Sequence, residues 1–354
     1  MEFRTIVDIE RPAFQIEPME RMLFVGSCFA ANIGQRFVDN KFRAVVNPYG
    51  VMYNPASILH TVEKVVKEGT FVPRIVFFTL GTNHVYRLKE TGEIVDNCQK
   101  RPARLFQEEE LSVDECADYI MQAVRLLLSV NPDVHIVLTV SPIRYAKYGY
   151  HKSQLSKATL LLAAEKCITN STLSCLHYFP SYEIVNDELR DYRFYREDML
   201  HPTDQAVEYI WQRLQQTCFS PAALRWLDEW KPVREALNHR PFNPDSPEHK
   251  AFVEKTQKKI EDLKARYPDF IVVLASIFST TLQNALMFLS YPYMWVLGQV
   301  PWFTLSGICN FAICNIQSHL IGNILNTNTL QTIQHKKLQI ANSIFNPYFC
   351  EITI

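Results

Sequence analysis

The chain has 354 residues, enough for one large domain or two modest ones around a sizeable core. Its 36 Lys and Arg nearly cancel its 37 Asp and Glu, leaving a formal net charge of -1, and no basic stripe interleaved with aromatics occurs. That excludes nucleic acid as an expected partner and favours a small neutral or weakly charged one.

The first residues, MEFRTIVDIERPAF, mix acids and bases and lack the apolar run of a secretory leader. The nine cysteines form no CxxC pair and no repeated spacing, so reduced thiols in a cytoplasmic protein are expected, with neither a disulfide framework nor a cysteine metal site. Over about three-quarters of the sequence, short apolar runs alternate with amphipathic stretches, the pattern of βαβ units around a mostly parallel sheet.

The first predicted strand, 22–25, runs directly into Gly26-Ser27-Cys28-Phe29-Ala30. A glycine before the serine permits a tight turn, and a helix starting after it aims N–H groups and the positive dipole end at the serine oxygen. Ser27 is therefore a candidate nucleophile; the alternative is that it only caps the helix. Cys28 is expected to turn into the helix packing as a small buried residue.

The second strand, 43–46, ends in Asn47-Pro48-Tyr49-Gly50, where the Gly50 N–H can face an oxyanion or simply close a turn. A helix over 55–67 follows, with Asn54 as cap, Pro55 at its first position and Ile58, Leu59, Val62, Val65 and Val66 on one face. The third strand, 75–80, leads to Gly81-Thr82-Asn83, whose side-chain amide can turn toward the same point. Acyl transfer needs such donors where charge develops, and the Ser27 N–H, the Gly50 N–H and the Asn83 amide supply three.

A helix over 113–130 follows Ser112 as cap and stops at Asn131-Pro132. A strand over 134–140, a helix over 154–168, a strand over 175–179 and a helix over 203–216 complete the alternation. Arg144 and His151, beyond the fourth strand, are candidate pocket residues, as is His84 after Asn83; solvent-facing roles are the alternative. His84, His151 and His201 have no metal-ligand spacing, so no metal and no cofactor are expected.

Asp198-Met199-Leu200-His201 places an acid three residues before a histidine in a loop leading into the last helix. The carboxylate can hold one ring nitrogen while the other faces a nucleophile, which completes a Ser27, Asp198, His201 triad; capping by Asp198 and a surface histidine is the alternative. From 226 to 248 the chain is rich in Pro, Trp and charge and is expected to be irregular, followed by a polar helix over 250–266.

From Phe270 to His335 there is no Lys, Arg, Asp or Glu. Two apolar stretches, 270–289 and 293–314, carry too many polar residues for ordinary membrane spans. The readings are a weak membrane hairpin through 270–314, a buried accessory segment, or non-native read-through, the last being favoured.

Taken together, the motifs resemble the GSCFA family of SGNH-like hydrolases. The resemblance rests on Gly26 to Ala30, on Thr79 to Thr82 with Val85-Tyr86, on Ser141-Pro142 with Arg144, on Gln154 to Ala158, and on Asp187 to Tyr195 with Asp198 to Pro202. It implies a flavodoxin-like three-layer α/β/α sandwich with a mostly parallel five-stranded sheet over residues 1–240, then an irregular segment and polar helix to 269 and the charge-poor tail. It also implies an oxyanion hole from Ser27, Gly50 and Asn83. The chain departs from the superfamily pattern at His84, where an Asp is usual. The expected activity is hydrolysis of carboxylic esters on a small molecule or glycan through an acyl-serine; acyl transfer on the same fold and a non-catalytic binding module are the rivals.

Overall fold

The computed structural model describes residues 3–99, 101–169 and 173–270. All belong to the first of two units into which the chain divides, Met1–Val273 and Leu274–Ile354. The readings of the charge-poor tail beyond Phe270 lie outside the described residues. No helix among the described residues is long and apolar enough to cross a membrane.

Chain order begins with β1 (Arg21–Gly26), α1 (Cys28–Asp39), β2 (Arg43–Val46), α2 (Pro55–Glu68) and β3 (Ile75–Leu80). A small hairpin region follows, β4 (His84–Leu88), β5 (Ile94–Val95) and β6 (Phe106–Glu110). Then come α3 (Val113–Val130), β7 (His135–Val140), α4 (Tyr150–Thr169) and β8 (Leu176–Tyr178). A short turn α5 (Ser181–Glu183), α6 (Asp204–Cys218), α7 (Pro221–Asn238) and α8 (Pro247–Arg266) end the described chain.

The five apolar runs become one sheet in the order β2-β1-β3-β7-β8, with every pairing parallel. Counting only its own strands this is the flavodoxin-like order 2-1-3-4-5, whose direction of winding reverses between β1 and β3. Alternation along the strands divides the core. Leu23, Val25, Val76, Phe78, Ile136 and Leu138 join the cluster that α2, α3 and α4 cover. On the other face, Phe24 stacks on Phe77 at 4.9 Å between centroids, and Phe37 of α1 meets Trp211 of α6 at 4.7 Å. Two helical layers thus enclose the sheet, as right-handed crossovers require.

Local chemistry sets the helix starts. Asn54 accepts the Ser57 N–H ahead of Pro55, and Ser112 with Glu115 forms a complete capping box. The helix expected to begin near 154 starts four residues earlier, at Tyr150.

Two elements differ from the sequence expectation. The antiparallel sheet β5-β4-β6 was not foreseen, because His84–Leu88 and Phe106–Glu110 are too polar to show an apolar run. The segment expected to be irregular from 226 is helical as far as Asn238, entered through a Ser220 cap and Pro221, with Pro232 inside it. Its tryptophans explain the helix: the indole N–H of Trp226 donates to Asn40 O and that of Trp230 to Asp39 O, both at 2.8 Å. They satisfy carbonyls at the end of α1 while burying two large rings.

Candidate active site

In a parallel sheet of this order, the crevice at the carboxyl edge between the strands where winding reverses is the place for a ligand. Here those strands are β1 and β3, and the residues that follow them are Ser27 and Gly81. They stand close: a Cβ built on Gly81 would be 3.4 Å from the Ser27 Cβ and 2.8 Å from Tyr53 O. Only a glycine lets the two turns approach so closely.

Ser27 is buried, 2% exposed, and caps α1. Its Oγ accepts the Phe29 N–H at 3.3 Å, so the hydroxyl lies over the positive end of the helix. Gly26 before it has φ of 149°, and a side chain there would meet Thr79 O at 2.2 Å. Cys28, expected to be buried, is only half-buried, its Sγ 3.8 Å from the Tyr53 hydroxyl.

Asp198 and His201 are brought together. His201 Nδ1 lies 2.6 Å from Asp198 Oδ2, and Asp198 Oδ1 accepts the N–H groups of Leu200 at 2.8 Å and His201 at 2.9 Å. Burial pushes this carboxyl up, but those N–H bonds and the imidazole outweigh it and hold it at about 2. The loop is fastened to the carboxyl edge through Arg144, four residues past β7. The Arg144 N–H donates to Leu200 O at 3.0 Å, and its guanidinium donates to Met199 O at 3.1 Å while lying over the rings of Tyr150 and Tyr195. Among the described residues no hydrogen bond joins Ser27 to His201.

The three expected oxyanion donors are differently disposed. The Ser27 N–H donates to Thr79 O at 3.2 Å as the last rung between β1 and β3, and the Gly50 N–H donates to Asn47 O at 2.9 Å within its turn. Asn83 is buried, with Nδ2 donating to Leu111 O at 2.7 Å. An amide nitrogen has two protons, so one remains for a ligand.

Of the other pocket candidates, His84 is buried against Tyr148, with ring centroids 4.0 Å apart. Desolvation lowers its imidazole below the usual value, and its Nδ1 has no hydrogen-bond partner. His151 is exposed in the first turn of α4. No group of three His, Cys, Asp or Glu side chains that could hold a metal ion occurs among the described residues.

Sequence reasoning missed Lys157. It lies on α4, is 3% exposed, and its Nζ donates to Gly81 O at 2.6 Å. Desolvation lowers it to about 7. The only signal was its place in the Gln154 to Ala158 block, which assigned it no role.

The sheet order and the edge crevice define an α/β/α sandwich of flavodoxin-like winding, with the candidate site residues in the segments that follow β1, β3, β7 and β8. The chain belongs to the GSCFA family: the family model matches residues 21–74 and 72–214. That of the C-terminal domain of GSCFA domain proteins matches 230–273, which extends the relationship past the limit near 240 expected from the motifs. No curated protein matches the sequence.

Among solved structures, the chain is similar to a carbohydrate esterase family 3 protein from Talaromyces cellulolyticus, at 11% identity over 57% of this chain and 95% of that one, TM-score 0.32. A mutant of an acetyl-xylooligosaccharide esterase from Geobacillus matches at 15% identity over 59% and 98%, TM-score 0.35. A GDSL-like lipase from Bacteroides thetaiotaomicron matches at 15% over 56% and 87%, TM-score 0.37. Likenesses of this degree say nothing about the reaction.

Proposed function

We propose that the domain is a serine hydrolase that cleaves carboxylic esters, with Ser27 as nucleophile, His201 as general base and acid, and Asp198 as the residue that orients the imidazole and stabilises the imidazolium formed in the reaction. The observation that carries this reading is the 2.6 Å Asp198–His201 pair, tied by Arg144 to the same sheet edge on which Ser27 tops α1.

With Nδ1 held by Asp198, Nε2 is the nitrogen left to accept the Ser27 proton. Oγ then attacks the ester carbon, and negative charge grows on the carbonyl oxygen. The free Asn83 Nδ2 proton and the N-terminal end of α1 oppose that charge. The Ser27 and Gly50 N–H groups join them only by leaving Thr79 O and Asn47 O. Collapse expels the alcohol, which takes its proton from the imidazolium, and water reverses the steps to free the acid.

O-acyl groups on carbohydrate are the substrates we favour. Tyr150, at the start of α4 with one ring face against Arg144, and Tyr192, in the turn ahead of the His201 loop, are 50% and 70% exposed, and exposed aromatic faces can stack on a sugar ring. Acyl transfer to a sugar hydroxyl uses the same residues with an alcohol in place of water. A non-catalytic binding module draws support from the committed Ser27 and Gly50 N–H groups.

Hydrolysis of p-nitrophenyl acetate and of acetylated xylo-oligosaccharides by the full chain, set beside Ser27→Ala and His201→Ala, tests the reading. Activity in the wild type that falls by at least about a thousandfold in both variants supports it. Equal rates in all three proteins refute it.

A further inference from the structure

Charged residues are almost never fully buried unless paired, and a buried ammonium is costly. Lys157 is such a group. Among the described residues it makes one hydrogen bond, to Gly81 O, and no ion pair. Methionine would fill similar space without the cost of burying a charge. Packing therefore does not explain the residue, and what it holds does.

Gly81 O belongs to the peptide linking Gly81 to Thr82. In a trans peptide the C=O and N–H point in opposite directions. Here the C=O meets Lys157 Nζ on one side, and the Thr82 N–H donates to Tyr53 O at 2.8 Å on the other. The peptide plane is pinned from both ends, and Gly81 beside it is the residue on which a Cβ would come within 3.4 Å of the Ser27 Cβ.

The preceding residue on α4 extends the grip. Ser156 Oγ accepts the Asn83 N–H and lies within hydrogen-bond distance of Thr82 Oγ1, both at 3.0 Å. Two consecutive helix residues thus hold three consecutive turn residues, all of them buried. The turn bears both the wall beside Ser27 and the Asn83 amide.

We propose that Lys157 and Ser156 are positioning residues for the hydrolysis assigned above, clamping the Gly81-Thr82-Asn83 turn and so fixing where the Asn83 amide, two residues past the glycine beside Ser27, stands. The proposal rests on that functional reading for its catalytic consequence, although the clamp itself does not. Without Lys157, Gly81 O is left buried with no partner, and the peptide keeps only its Thr82 N–H bond to Tyr53 O, so its plane is held from one side instead of two. A displacement of about 1 Å in a donor costs on the order of a hundredfold in rate.

The test compares the full-length wild type with Lys157→Met and Ser156→Ala in two measurements. One is kcat and KM for p-nitrophenyl acetate; the other is amide hydrogen exchange, resolved to the segment 80–84. For Lys157→Met we expect kcat to fall about a hundredfold with KM within about threefold, and exchange in 80–84 to quicken about tenfold or more while the strands keep their protection. Ser156→Ala follows in the same direction with about a tenfold loss of kcat.

Lys157→Met with unchanged kcat and unchanged exchange overturns the proposal, as does a variant whose KM rises while kcat holds. If Lys157→Met fails to fold, Ser156→Ala decides alone: wild-type kcat and exchange at 80–84 overturn the clamp. A wild type that does not hydrolyse the ester, or one whose activity survives Ser27→Ala, refutes the serine reading instead, and the exchange measurement still decides whether the turn is clamped.

Discussion

One carboxylate of Asp198 performs two tasks for His201: Oδ2 meets the imidazole Nδ1 at 2.6 Å, and Oδ1 receives the His201 backbone N–H at 2.9 Å. The two can be separated by mutation. Asp198→Asn keeps an oxygen for the backbone N–H groups but presents an amide, not a full negative charge, to the ring. The loop should persist, with Tm within a few degrees of wild type, while kcat falls by about a thousandfold or more with little change in KM. Asp198→Ala should lose the same activity and loosen the loop as well. Steady-state kinetics beside thermal melts distinguish the two variants.

Another histidine–aspartate pair sets a pH dependence of stability away from the site. His60 of α2 lies 2.6 Å from Asp96, which Lys64 also contacts at 3.1 Å. The Asp96 hydrogen bond raises the His60 imidazole above its ordinary 6.5, against the opposing effect of burial. A raised histidine gives stability that is fully present below the unfolded value and disappears as pH climbs through the folded one. The Tm difference between wild type and His60→Gln should therefore be larger at pH 5.5 than at pH 9. An equal difference at both would remove the charge from the explanation.

The closeness of the Ser27 and Gly81 turns predicts an intolerance to a single methyl group. In Gly81→Ala the new Cβ would lie 2.8 Å from Tyr53 O, a backbone atom that cannot swing aside. We expect a loss of about 1–3 kcal/mol in stability and a larger proportional loss in kcat, since the shift falls on the wall beside the nucleophile. Gly26→Ala meets Thr79 O at 2.2 Å with φ of 149° and should not yield a native fold. Chemical denaturation and ester hydrolysis measured on the same preparations check both.

Stability and activity should part company at the far end of α1. Trp226 and Trp230 bond to Asn40 and Asp39, about 18 Å along the helix from Ser27. Trp226→Ala removes a fully buried indole and should cost about 3–5 kcal/mol. Well below its lowered Tm, kcat per folded molecule should stay within about twofold of wild type. A large kcat defect at low temperature would show that α7 acts on the site.

The parallel sheet was legible because its three central strands are short apolar runs buried on both faces, and the caps at Asn54 and Ser112 marked where helices begin. The small sheet was not, since Phe-Gln-Glu-Glu-Glu of β6 pairs through its backbone with β4 and shows no apolar alternation. Pro232 and the dense charge hid α7, whose stability comes from tryptophans meeting the end of α1, a contact between residues far apart in the chain. The Asp198–His201 pair could be read from its spacing because both partners lie within one loop. The commitments of the Ser27 and Gly50 N–H groups, and the burial of Lys157, depend on which backbone atoms stand opposite, and no local pattern records that.

The central claim is that the Ser27 hydroxyl is the group that attacks. The direct measurement is reaction of the full-length protein with a fluorophosphonate, followed by peptide mapping of the adduct in wild type, Ser27→Ala and His201→Ala. A single phosphonyl adduct on Ser27 in the wild type, absent from the first variant and strongly slowed in the second, is the predicted result. Equal labelling of wild type and Ser27→Ala, or an adduct on Cys28, would contradict it.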